Sequence, residues 1–342
     1  MNEPILQVED MHVSFDIPSG EVQAVRGVSF QLERGEIVAI VGESGSGKSV
    51  MTQSIVKLLP SPPARISGAS VSISGVNIIG FTRKQLSHIK GKDIGYVFQD
   101  PMTSLNPTTK VGKQIVEVLR KHTKATQDEA AKQAVDLLRM TGIPNPEKRF
   151  EQYPHEMSGG MRQRVMIAIA IACHPKILVA DEPTTALDVT IQSQILEILK
   201  DLNRKLQMSI LLITHDLGIV AGIASRMLIM YGGKIVESGP VDAIYEAPLH
   251  PYTQALLRSV PRLDSDDKAP LEYIIGTPPD MMAPPPGCAF APRCRYCMQI
   301  CLDQYPPETS PEEGRCYACW LAHPGAAVVR TIAEKGQVST DE

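Results

Sequence analysis

The chain has no apolar run near membrane-spanning length. Its most apolar stretches, Val165 to Cys173 and Ile177 to Ala180, stop far short of the roughly 18 to 20 residues that cross a bilayer as a helix. Any membrane association is therefore expected through a partner. There is no excess of positive charge either: the formal net charge is −4. No global basic field is available to neutralise phosphates, so nucleic acid is not an expected partner. Met1 to Asp10 contains acids and no apolar core of a secretory signal, so the expected location is inside the cell. Internal repeats and heptad arrays are missing. Cysteine is almost missing from most of the chain: of seven, only Cys173 precedes Cys288. The other six, Cys288, Cys294, Cys297, Cys301, Cys316 and Cys319, crowd together, and in a reducing compartment such a cluster suggests metal ligation before disulfides.

With 342 residues, length suggests two domains, or one with an appendage. The first 40 residues alternate, with Leu6 and Val8 and then Val22 and Ala24, and with turns at Gly20 and Gly35, which predicts an antiparallel β layer. Glu36 to Val41 is an apolar run that meets a glycine-rich loop and then a predicted helix from Ser49 to Leu58. That is the strand, loop, helix order of a phosphate-binding α/β unit. Residues 104–173 are expected to be mainly helical, with Ala131, Val135 and Leu138 at i, i+4 and i+7 forming an amphipathic stripe. Lys176 to Asp181, Ser209 to Thr214 and Arg226 to Tyr231 are short β-rich segments. A helix carrying Ile191, Ile195, Ile198 and Leu202 separates the first two, which implies a mostly parallel buried sheet. Beyond Tyr252, prolines at 261, 270, 278, 279 and 284–286 interrupt regular structure, and a boundary is expected near Pro240 to Pro261.

Gly42-Glu43-Ser44-Gly45-Ser46-Gly47-Lys48-Ser49 fits the P-loop pattern in the context that the pattern requires. Glycines let backbone N–H groups converge on one point without an intervening Cβ, and the helix that follows aims its positive end at the same anion. Lys48 is expected at the β and γ phosphates and Ser49 on Mg2+. Ile177 to Asp181 followed by Glu182 has the pattern of a buried strand ending in two acids at the carboxyl edge of a sheet. Asp181 suits the Mg2+ shell, and Glu182 is placed to polarise an attacking water. Ser158-Gly159-Gly160 opens a long predicted helix and gives a second set of N–H donors for an anion.

With Gln99, Met157-Ser158-Gly159-Gly160-Met161, Thr185-Ala186-Leu187-Asp188 and His215 in this order, the sequence resembles the ATP-binding cassette family. The resemblance implies an α/β P-loop NTPase cassette: a mostly parallel core sheet, an antiparallel β layer and a helical subdomain at about 104–173, followed by a cysteine-rich C-terminal extension. It implies ATP hydrolysis with Mg2+ in a head-to-tail dimer with a second, homologous ATPase subunit. Each ATP would then lie between one P-loop and the opposite Ser158-Gly159-Gly160 signature. It assigns adenine stacking to Phe15, Mg2+ sensing and contact with the membrane subunit to Gln99, a cross-dimer contact to Asp188 and the γ-phosphate sensor to His215. Residues 98–107, Leu249-His250-Pro251-Tyr252-Thr253, Gly276-Thr277-Pro278-Pro279 and Gly287-Cys288 resemble the oligopeptide, dipeptide and nickel importer subfamily. That implies two transmembrane permease subunits, an extracytoplasmic substrate-binding protein and a peripheral location on the cytoplasmic face of the cell membrane. Nickel or glutathione are alternative cargoes. A soluble ATPase of DNA repair or translation is a remote alternative, since the chain has neither a long coiled coil nor a second cassette. The domains expected are a nucleotide-binding domain over 1–255 and a proline- and cysteine-rich region over 256–342.

The cysteine tail supports two readings. Cys294-x2-Cys297 with Cys316-x2-Cys319 has the spacing of a tetrahedral Zn2+ site. The family resemblance implies instead that Cys288, Cys294, Cys301 and Cys319 hold a 4Fe-4S cluster.

Overall fold

A computed structural model describes residues 3–185, 187–260 and 273–326. Its packing divides the chain into two units. One comprises residues 3–7, Phe30–Val38 and Ser70–Thr214; the other comprises Val8–Ser29, Ala39–Ala69 and the chain from His215 onward. The boundary expected near Pro240 to Pro261 thus falls inside the second unit. Prolines 261 and 270 lie outside the described residues.

In the first unit, the strands Ile94–Val97, Ile177–Asp181 and Ser209–Thr214 run parallel, with Val97 opposite Ala180 and Asp181 opposite Ile213. Every residue of the last two strands is buried, which is why both sequences are almost purely apolar rather than alternating. The helix Val189–Leu206 connects those two strands and buries Ile195, Leu199 and Leu202. Its partner in the motif order, Gly159–Ala170, ends so close to Gly95 that a Cβ on Gly95 would collide with the Ala170 carbonyl.

The helical part of this unit contains Val111–His122, Gln127–Met140 and Pro146–Phe150. Thr126 and Glu129 form a reciprocal capping box at the start of Gln127–Met140, satisfying two N–H groups that would otherwise lack partners. The buried face of that helix is Ala130, Ala134, Leu137 and Leu138. The expected stripe through Ala131 and Val135 is therefore rotated by about one residue. These two side chains instead line an open cavity with Lys132, Asp136, Glu147 and Phe150. Leu138 belongs to both faces, so periodicity alone did not distinguish them.

In the second unit, His12 to Phe15 of the strand Leu6–Ile17 pair antiparallel with Ala64–Ser67, Phe15 lying opposite Ala64. The strands Arg226–Tyr231 and Lys234–Pro240 form a hairpin across Gly232-Gly233, both with positive φ, 53° and 76°, as a two-residue turn with the twist of the strands demands. This hairpin is extended by a short strand, Arg315–Ala318, and then by Glu308–Glu312, both antiparallel. The sequence pattern did not predict these last two strands. A core of Ala39, Val41, Met227, Ile229, Tyr231, Val241, Ile244, Tyr252, Ala289 and Phe290 lies beneath them. The fully buried Glu237 carboxylate accepts from the backbone N–H groups of Leu249 and His250, both at 2.9 Å, and pairs with Arg315 at 3.4 Å. A buried charge persists only when bonded in this way.

Candidate functional site

The phosphate loop is held from inside. Its last glycine, Gly47, caps the helix Lys48–Ile55 with φ 100°, a conformation that L side chains rarely adopt. A Cβ on Gly42 would stand 2.9 Å from Ser46 Oγ and closer still to the Met230 carbonyl. Lys48 is 5% exposed, and its Nζ donates to the carbonyls of Gly42 at 2.8 Å and Glu43 at 2.9 Å. Its ammonium therefore lies in the mouth of the curl made by Gly42 to Gly47, where an anion met by the helix N-terminus would also be met by a full positive charge. Ser44 and Gly45 are exposed at the rim and Ser46 is buried. Phe15, the residue expected against adenine, is half-buried on its strand in the same unit.

The acids belong to the first unit. Asp181 closes its strand at 2% exposure and accepts from the Tyr96 hydroxyl at 2.9 Å. At Glu182 the chain leaves the strand in a left-handed conformation, φ 46°. Its N–H still donates to the Ile213 carbonyl at 2.9 Å. Its carboxylate accepts from Gln99 Nε2 at 2.7 Å and from Thr185 Oγ1 at 2.9 Å. The structure thus brings Gln99 and Glu182 together, as two neighbouring parallel strands ending at one edge require. Hydrogen bonds from an amide and a hydroxyl orient a carboxylate that can accept a proton from water. Tyr96 and Thr185 were not given roles from the sequence. Tyr96 stands three residues before Gln99, on the strand beside that of Asp181, and this proximity was the available signal. His215 is exposed and follows directly after Ser209–Thr214.

Ser158 caps Gly159–Ala170 by accepting from Met161 N–H at 3.4 Å. Ser158 and Gly159 are exposed, so the first turn of this helix presents its amides outward. Gly160 has a packing reason for being glycine: its Cβ would stand 2.7 Å from Ile191 Cγ2. Ile191 lies in the helix capped by Asp188, whose side chain accepts from the Ile191 N–H at 3.0 Å. The signature and Asp188 therefore open adjacent helices of one unit. Ala186 lies outside the described residues.

In the C-terminal region, Cys288, Cys294, Cys301 and Cys319 line a single apolar cavity with Phe290, Tyr296, Trp320 and Leu321 among its walls. Gly287 permits this arrangement, because a Cβ there would meet the Leu302 carbonyl at 2.6 Å and the Cys301 carbonyl more closely still. The Cys288 N–H donates to that Cys301 carbonyl at 2.7 Å. Cys297 and Cys316 do not line the cavity. Cys297 is exposed, and the thiol of Cys316 is hydrogen-bonded to Ser310 Oγ at 3.0 Å. The paired C-x2-C set expected for Zn2+ is therefore not assembled, because the strand Arg315–Ala318 holds Cys316 in a sheet instead. Among the described residues, no three His, Cys, Asp or Glu side chains are grouped to hold one metal ion. Cluster ligands have a different requirement, since each thiolate binds its own iron. Burial pushes the Cys288 thiol up to about 11 and the Cys294 thiol up to about 12, with the neighbouring cysteines adding to both shifts. Thiolates at these positions are stable only against a cationic partner.

Comparisons with known proteins fit this geometry. A family model described as ABC transporter matches residues 12–185, and one described as oligopeptide/dipeptide transporter, C-terminal region, matches residues 236–301. The chain is 54% identical over 325 residues to the oligopeptide transport ATP-binding protein OppD of Bacillus subtilis, covering 95% of this chain and 91% of that one. It is 51% identical to the dipeptide transport ATP-binding protein DppD of the same organism, covering 93% and 95% of the two chains. Among solved structures, the ATP-binding cassette MJ0796 in a dimeric post-hydrolysis state bound to ADP and Pi superimposes with a TM-score of 0.62 at 27% identity. That match spans 69% of this chain and 98% of the cassette. Among the described residues, no helix is long and apolar enough to cross a membrane.

Proposed function

This chain belongs to the ABC transporter ATPases, among the oligopeptide and dipeptide transport ATP-binding proteins, and from that premise we propose that it hydrolyses ATP to power peptide import. The observation that carries this reading is the conjunction of a buried Lys48 inside a P-loop curl and a Glu182 carboxylate oriented by Gln99 and Thr185, in a chain matched almost end to end by peptide-transport relatives.

In this account the loop amides from Gly42 to Gly47 and Lys48 hold the β and γ phosphates, while Ser49 and Asp181 order Mg2+. Glu182 directs the attacking water, and His215 and Gln99 respond to the γ-phosphate and its metal. Phosphoryl transfer needs little else from a protein than placement and charge. Phe15 supports the adenine. The signature Ser158-Gly159-Gly160 and Asp188 serve the nucleotide of a second, homologous ATPase subunit, which returns the same groups to this chain's ATP. The dimeric state of the solved cassettes supports this arrangement. Two transmembrane permeases and an extracytoplasmic binding protein complete the assembly, with this chain peripheral on the cytoplasmic face. Residues 1–255 act as the nucleotide-binding domain and 256–342 as its C-terminal extension.

The four cysteines of the apolar cavity suit a 4Fe-4S cluster, whose iron would supply the positive charge that thiolates lining an apolar cavity need. Its role would be structural, joining the segments around Gly287, Cys294, Cys301 and Cys319. The cargo is tested by reconstituting the chain with its permeases and partner ATPase and measuring ATP-driven uptake of oligopeptide, dipeptide, nickel and glutathione. Uptake of peptide alone supports the reading, and uptake of nickel or glutathione without peptide moves the chain to those cargoes.

A further inference from the structure

The phosphate loop is bonded to the C-terminal region. Glu43, its second residue, has its N–H on the Tyr252 hydroxyl at 2.9 Å, its carbonyl on Lys48 Nζ at 2.9 Å and its carboxylate on Arg293 at 2.8 Å. The Arg293 side chain is 6% exposed, and its donors are also directed to the Tyr231 hydroxyl at 3.1 Å and to the carbonyls of Ile274 and Ile275 at 3.0 and 3.1 Å. A guanidinium fixed by several acceptors in one fork is a rigid positive charge.

We infer that Arg293 is a positioning residue for nucleotide binding, which neutralises Glu43 and holds the phosphate loop in register through it. This rests on the reading of the loop as the nucleotide site. Glu43 places a carboxylate on the very loop that must receive a polyphosphate, and like charges repel in proportion to their desolvation. Arg293, paired with that carboxylate at 2.8 Å, offsets that penalty. The contact joins residues 250 positions apart in sequence. The solved cassette that matches only 69% of this chain is matched over 98% of its own length. Glu43 lies in the stretch matched by the ABC transporter model, residues 12–185, and Arg293 in that matched by the transporter C-terminal region, residues 236–301, so that the C-terminal region supports nucleotide affinity directly.

The test uses the full chain, with affinity for a fluorescent ATP analogue and Mg2+ measured beside thermal unfolding. Arg293→Met is expected to weaken nucleotide binding about ten-fold, by exposing the Glu43 charge. Adding Glu43→Gln to Arg293→Met is expected to restore binding to within about three-fold of the wild type, because the repelling charge is then gone. Arg293→Lys keeps the charge and is expected to bind within about three-fold. Wild-type affinity in Arg293→Met, or an equal loss in the double variant, overturns the inference. So does a ten-fold loss in Arg293→Lys with unfolding unchanged, a readout that survives if Arg293→Met does not fold. Failure of the wild type to bind, or undiminished binding by Lys48→Ala, would instead overturn the nucleotide-site reading itself.

Discussion

Replacing Gly287 by alanine should loosen the cysteine region more than any surface change of the same size. The new Cβ would stand 2.6 Å from the Leu302 carbonyl oxygen and closer to that of Cys301. Both are backbone atoms, so no rotamer change relieves the clash. The segment carrying Cys301 must retreat by at least 0.4 Å to reach even 3.0 Å from Leu302. That retreat stretches the 2.7 Å bond from the Cys288 N–H to the Cys301 carbonyl. A strained insertion of one methyl costs about 1 to 3 kcal/mol, and a weakened buried hydrogen bond adds about 1 kcal/mol. The sum, about 2 to 4 kcal/mol, corresponds to a fall in the unfolding midpoint on the order of 5 to 10 °C for a unit of this size. The assay is thermal unfolding of anaerobically purified protein together with its iron content. A melting curve and iron content equal to the wild type would refute the close-approach argument.

Other outcomes follow from the same structure. Cys288→Ser should abolish bound iron and acid-labile sulfide while Cys297→Ser retains both, because only the first lines the cavity; zinc lost with Cys297 would reverse the ligand assignment. Burial lowers His250 to about 3 from an ordinary value of 6.5, so the unfolded chain gains a proton near pH 6.5 and the folded chain only near pH 3. Stability should therefore fall as pH drops through that window, by up to about 1.4 kcal/mol per unit. In His250→Asn, which keeps an acceptor for the Tyr252 N–H, the midpoint difference between pH 7 and pH 5.5 should shrink, and an undiminished difference would remove His250 as the cause.

How much was legible in advance depended on whether a feature was local. The strands ending at Val41, Asp181, Thr214 and Tyr231 announce themselves as short apolar runs between turns, and the loop from Gly42 to Ser49 carries its geometry in its glycines. The hydrogen bond between Gln99 and Glu182 required knowing that two strands are neighbours, which only their pairing in the sheet reveals. The rotated face of Gln127–Met140 was missed because Leu137 and Leu138 are adjacent and both apolar, so two stripes fit equally well. The strand Glu308–Glu312 is not legible because a proline and two acids leave it no apolar alternation, and Arg315–Ala318 because four residues are too few to show a period. Spacing could not decide which cysteines gather, since C-x2-C describes only neighbours along the chain. The pairing of Arg293 with Glu43 leaves no periodic trace at all, and packing alone reveals it.

The central claim is that this chain turns over ATP to drive transport, and Glu182→Gln in the assembled transporter tests it most directly. The amide keeps the hydrogen-bonding shape of the side chain but cannot take a proton from water. Single-turnover measurement at this chain's own nucleotide site, with peptide uptake followed in parallel, should show ATP bound but hydrolysis slowed by at least about a hundred-fold and uptake halted. Hydrolysis at that site and uptake continuing at wild-type rates would contradict the account.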